Sequence, residues 1–169
     1  MTNLIRLNLG SCDLYMRGWI NVDKSTSEHI KADLVCDALK IDDHFKINSV
    51  DEIYAGHLFE HFTRPQQIKA MHVWHKVLKP DGILAIVTPD FKTIARMYAN
   101  EDMDNFELNN QFIYSYMQES LHRWCWDREA LRDFLLEYGF HKPKFIEAND
   151  YRLAFKNVPW QSGVEVRKK

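Results

Sequence analysis

Residues 4–23, LIRLNLGSCDLYMRGWINVD, constrain the fold more than any other stretch of the chain. They read as a short apolar strand, a tight turn at Gly10, a brief excursion and a second strand that ends on Asp23. A strand that runs into glycine lets a ligand approach the backbone, because no Cβ stands in the way. An acid at the end of the next strand can accept hydrogen bonds from both hydroxyls of a ribose. Together Gly10 and Asp23 point to a nucleoside-containing cofactor laid across adjacent parallel strands.

The rest of the chain repeats the alternation of strand and helix. Residues 32–36 (ADLVC) are a short apolar run that stops at Asp37, and residues 39–45 suit a helical turn or two. Residues 50–56 (VDEIYAG) predict a fourth strand. From 64 to 78, Ile68, Met71, Val73, Trp74, Val77 and Leu78 recur at helical spacing, and the sequence KPDG at 79–82 stops that helix. Residues 83–87 (ILAIV) form the clearest strand, bounded by Gly82 and Pro89. Helices are expected at 91–98 and 106–121, then one capped by Asp127 and Gly139, with strands at 144–147 and 151–158. Such alternation with short connections predicts a single α/β domain over 1–169 with a largely parallel sheet. Ligands of such sheets sit beyond the carboxyl ends of the strands. Gly10, Asp23, Asp37, Gly56, His57 and the pair Pro89-Asp90 all fall there.

Composition excludes some classes. Apolar residues make up 46% and charged residues 27%, with a formal charge of −2, so nothing marks a general polyanion binder and no nucleic-acid partner is expected. No run is long and apolar enough to span a membrane. Three cysteines, Cys12, Cys36 and Cys125, form no C-x-x-C pair and fit a reducing, cytoplasmic compartment. The closing Arg167-Lys168-Lys169 reads as a solvated tail.

Four blocks carry a family resemblance: LNLGSCDLYMRGWINVD, ADLVCDAL, SVDEIYAGHLFEHF with VLKPDGILAIVTPDF, and DREALRDFLLEYGF. They resemble the small class I S-adenosylmethionine-dependent methyltransferases of the compact bacterial and viral type. The resemblance implies a Rossmann-like methyltransferase fold with helices on both faces of the sheet. By the same likeness the turn Leu9-Gly10-Ser11 cradles the methionine end of S-adenosylmethionine, and Asp23 binds its ribose. Asp37 and Ala38 then line the adenine slot, and Gly56 and His57 close the site from the fourth strand. The family usually carries a second glycine where this chain has Cys12, a side chain that narrows the approach to the cofactor.

Methyl transfer needs positioned partners and, for a protic acceptor, removal of a proton, but no metal. His57 and His122 are the candidate catalytic groups, acting on a small-molecule acceptor. The aromatic-rich segment 91–126, with Phe106, Phe112, Tyr114, Tyr116, Trp124 and Trp126, is expected to form a helical, lid-like insertion. Two other readings stand beside this one. One is a non-catalytic member of the fold that binds a nucleoside or protein. The other is a zinc hydrolase, since His57-Leu58-Phe59-Glu60-His61 matches H-x-x-E-H, whose histidines grip one zinc when four apart on a helix.

Overall fold

A computed structural model describes residues 4–112, 114–115, 120–146, 150 and 158–169. Seven strands form one sheet: β1 (Arg6–Leu9), β2 (Ile20–Asp23), β3 (Leu34–Val35), β4 (Val50–Gly56), β5 (Leu78–Pro89), β8 (Phe140–Ile146) and β9 (Gln161–Lys168). Their order is β3-β2-β1-β4-β5-β9-β8. The first five strands are parallel, and β9 pairs antiparallel with both β5 and β8. Chain order reverses direction between β1 and β4, so that pair marks the switch point where a ligand crevice opens. A small hairpin, β6 (Tyr114–Ser115) with β7 (Ser120–Leu121), stands apart from the sheet.

Period-two alternation sorts the sheet's side chains between two cores. Ile53 and Ala55 of β4 and Leu84 and Ile86 of β5 face the larger one, with Met71, Trp74 and Val77 of α1 (Arg64–Val77) and Leu131, Phe134 and Leu135 of α4 (Arg128–Glu137). Tyr54, Ala85 and Val87 face the other way, where Leu14, Met16 and Trp19 of the β1–β2 connection cover them. That connection is too short for a full crossover helix, and three large side chains do the covering. Asp127 caps α4 by accepting from the Ala130 amide at 2.8 Å, and Gly139 follows with φ +86°, as their positions predict.

Two helices follow β5. Asp90 caps α2 (Phe91–Ala99) through the Thr93 amide at 2.8 Å, and its second oxygen accepts from the Ser162 hydroxyl at 2.8 Å. α3 (Asn105–Phe112) is shorter than the 106–121 helix that periodicity predicts, because the chain turns into the β6–β7 hairpin. The C-terminal part also departs from expectation. The strand expected at 144–147 begins earlier, at Phe140, while 151–157 lie outside the described residues. Residues 167–168 belong to β9 instead of a solvated tail. Val164 and Val166 are buried in the main core, and the Lys168 ammonium donates to the Leu78 carbonyl at 2.9 Å and to Asn48 Oδ1 at 2.7 Å. A strand held between two neighbours buries even a basic residue when its ammonium finds acceptors. No helix among the described residues is long and apolar enough to cross a membrane.

Candidate active site

The turn after β1 is built as its residue types require. Gly10 adopts φ +64°, and a Cβ added there would lie 2.9 Å from the Leu58 side chain. The Gly10 and Ser11 amides both donate to the Val22 carbonyl, at 2.8 and 3.1 Å, which pins the turn to the end of β2. Cys12 follows with φ +44°, a left-handed conformation that its side chain disfavours. Burial pushes its thiol up, and the nearby charges of Asp13 and Asp23 push the same way. Asp23 closes the arrangement. One oxygen accepts from the Cys12 amide at 3.0 Å, and the other accepts from the Ser25 amide at 3.1 Å. Ser11 is 1% exposed, and its hydroxyl has no hydrogen-bond partner among the described residues.

Beyond β3, Asp37 caps a 3-10 helix (Ala38–Asp43) by accepting from the Leu39 amide at 2.9 Å. Ala38 is buried, and its carbonyl accepts from the indole N–H of Trp74 at 2.8 Å. Leu9, Gly10, Ser11, Asp23, Asp37 and Ala38 therefore line the carboxyl ends of the adjacent strands β1, β2 and β3. Gly56 ends β4 on the other side of the switch point. A Cβ there would meet the Tyr54 hydroxyl, so the glycine makes room for a buried tyrosine.

The segment after β4 brings together residues that the sequence keeps apart. His57 has φ +51°, and Phe59–His61 form a single 3-10 turn, so H-x-x-E-H does not lie on a regular α-helix. The two ring nitrogens of His57 face separate acceptors: Nδ1 lies 3.3 Å from Glu60 Oε1 and Nε2 3.2 Å from Gln161 Oε1. Trp160 meets the ring edge-on. Glu60 is 1% exposed. Burial would raise its carboxyl, but His57 beside it and the neighbouring His61 and His122 hold it below the ordinary glutamate range.

His122 arrives from 61 residues downstream of His61, and the two rings meet at 4.8 Å between centroids. The Arg123 and Trp124 amides both donate to the Glu60 carbonyl, at 2.8 and 3.2 Å, and the Asp90–Trp126 bridge secures the far end. Burial pushes His122 down, against the pull of Glu60. A small cavity lies here, lined by Glu60, Pro89, Phe91, Gln111, His122 and Trp124 among others. Trp126 stacks in the core on Phe59, whereas Trp124 and Phe106 are exposed. Tyr116 lies outside the described residues. Sequence reasoning missed Gln161 and the pairing of His61 with His122, for which no local signal exists.

A seven-stranded sheet of this order, with a glycine turn and strand-end acids at its switch point, defines a Rossmann-like methyltransferase fold. The chain has that fold, and its residues 16–86, less than half of its length, match the methyltransferase domain family model. Comparison with curated proteins gives no match. Among solved structures, an S-adenosylmethionine-dependent methyltransferase from Archaeoglobus fulgidus is 14% identical with a TM-score of 0.64, covering 99% of this chain and 87% of that one. A possible histamine N-methyltransferase from Thermotoga maritima is 14% identical with a TM-score of 0.64, covering 100% and 84%. Phosphoethanolamine N-methyltransferase 2 from Haemonchus contortus, bound to phosphomonomethylethanolamine and S-adenosylhomocysteine, is 15% identical with a TM-score of 0.60. That alignment covers 99% of this chain but 49% of the nematode enzyme. At these identities the likeness is one of fold.

Proposed function

We propose that the chain binds S-adenosylmethionine across the ends of β1, β2 and β3 and catalyses transfer of its methyl group to a small-molecule acceptor. The observation that carries this reading is the Ser11 hydroxyl in the turn after Gly10, buried and without a hydrogen-bond partner among the described residues. A buried hydroxyl left unpartnered is costly unless a ligand or water completes it. Its position suits the polar amino-acid end of the cofactor. Asp23, already oriented by two backbone amides, keeps lone pairs for ribose hydroxyls. Asp37 and Ala38 are assigned to the adenine.

When bound, the cofactor supplies a methyl group activated on a sulfonium. The chain's own contribution is positioning and exclusion of water. His57, held between Glu60 and Gln161, fixes the wall nearest the methyl end, and His122 presents a neutral imidazole on the acceptor side. Segment 91–126 acts as the lid, with Trp124 at its rim. The similar structures that carry amine-methylating names support a small acceptor as the substrate class.

Calorimetric titration with S-adenosylhomocysteine tests the reading directly. Saturable binding that weakens in Asp23→Ala and in Ser11→Ala is the expected result. No binding to the folded wild-type chain would overturn it.

A further inference from the structure

We propose that Glu60, His61 and His122 form a binding site for one divalent transition-metal ion, with zinc the best match to its donors. One carboxylate oxygen of Glu60 and one ring nitrogen of each histidine all lie within 4.8 Å of one another. Ligand bonds of about 2.0–2.2 Å place tetrahedral donors roughly 3.5 Å apart, so an ion draws the three together by about 1 Å. Two imidazoles with one carboxylate is a borderline-soft donor set that suits zinc over magnesium or calcium.

The histidines are set for this role by their backbone partners. His61 Nδ1 lies 3.1 Å from the Leu121 carbonyl and His122 Nδ1 lies 2.9 Å from the Gln111 carbonyl. A carbonyl only accepts, so each Nδ1 carries a proton, and Nε2 is the ring nitrogen that the imidazole offers to a metal. That is the tautomer, with the outer hydrogen bond, that metal-ligating histidines adopt.

Glu60 supplies the second, independent observation. It is 1% exposed, and apart from the His57 contact neither oxygen has a hydrogen-bond partner among the described residues. A buried carboxylate needs a cation or several donors. His57 approaches Oε1, which leaves Oε2 for an ion. In this arrangement Glu60 is a ligand and His57 a positioning residue behind it, the reverse of a zinc peptidase helix. Three protein ligands beside a cavity leave a coordination position open to a small molecule, as in catalytic rather than structural zinc sites.

The test reads metal, not methyl transfer, so it stands or falls apart from the proposed activity. Protein stripped with a chelator is titrated calorimetrically with Zn2+ in the absence of any cofactor. One equivalent is expected to bind, and His61→Ala and His122→Ala should each lose more than the roughly 10–100-fold that loss of an outer-shell partner costs. Glu60→Gln should weaken binding as well, while the exposed His29→Ala leaves it unchanged. Zn2+ binding that is absent, or undiminished in both histidine variants, would overturn the proposal. Should the variants fail to fold, Co2+ added to the wild-type chain decides the matter. Intense visible bands of a low-coordinate nitrogen–oxygen site support it, and the pale spectrum of octahedral aqueous Co2+ refutes it.

Discussion

The backbone amide of Cys12 donates to the carboxylate of Asp23 across 3.0 Å, so the acid assigned to the ribose also holds the glycine turn in shape. One side chain thereby serves the fold and the ligand together. Removing it should disturb both.

Asp23→Ala is therefore expected to weaken S-adenosylhomocysteine binding by about tenfold to a hundredfold, from loss of charge-assisted hydrogen bonds of roughly 1.5–3 kcal/mol. Asp23→Asn keeps one acceptor oxygen and should fall between the two. Calorimetry on folded variants checks this. An unchanged affinity in Asp23→Ala removes the residue from the site.

Cys12 sits at φ +44°, where a residue with a Cβ is strained by about 1–2 kcal/mol. Cys12→Gly relieves that strain while adding freedom to the unfolded chain, so urea denaturation should show stability unchanged or raised by up to about 1 kcal/mol. Cofactor affinity should rise, since the Cβ no longer narrows the turn. Weaker binding in the variant would show that the thiol contributes to the site.

Lys168 gives a prediction about the sheet. Its ammonium is buried against the Leu78 carbonyl and Asn48, and desolvation pushes its pKa below the ordinary lysine value. A depressed lysine pKa means that the unfolded chain binds more protons in the window between the two values. Stability therefore rises with pH across that window and is lower beneath it. Lys168→Ala leaves two acceptors unsatisfied and should cost about 1–3 kcal/mol in urea denaturation, whereas Lys169→Ala, at an exposed end, should cost less than about 0.5 kcal/mol.

The lid assignment predicts hydrogen exchange. Amides of α3 and of residues 121–123 should slow when cofactor and acceptor are both bound, while those of 83–87 stay slow throughout. Trp124→Ala, which removes the ring beneath the Arg64 guanidinium at 5.3 Å, should impair turnover more than cofactor affinity. Equal effects on both, or none, would make the segment simple packing.

Much of this architecture was legible because its signals are local. An apolar run such as 83–87 with Gly82 before it, a cap such as Asp127 and a glycine such as Gly139 each act within a few residues. What escaped is non-local. β9 reads as a polar end because its buried Val164 and Val166 alternate with Glu165 and Arg167, and only pairing with β5 and β8 makes that alternation a core. Lys168 finds Asn48 across 120 residues. His61 and His122 likewise meet only because the chain returns from the β6–β7 hairpin over the Glu60 turn. The 106–121 helix was overestimated because its apolar residues suit either period until the hairpin intervenes.

One carbonyl clasps that return twice: Glu60 O accepts from the amides of both Arg123 and Trp124, beside the His61 contact to the Leu121 carbonyl. Lifting this end breaks those two bonds together, in themselves a net penalty of about 1–3 kcal/mol, so the raised form is outnumbered at least roughly 5-fold. Traffic of small molecules past Trp124 would then be metered by a minority conformer. The observed association rate of an acceptor entering there would scale with that conformer's population, and a substitution that loosens the clasp would speed entry and exit alike.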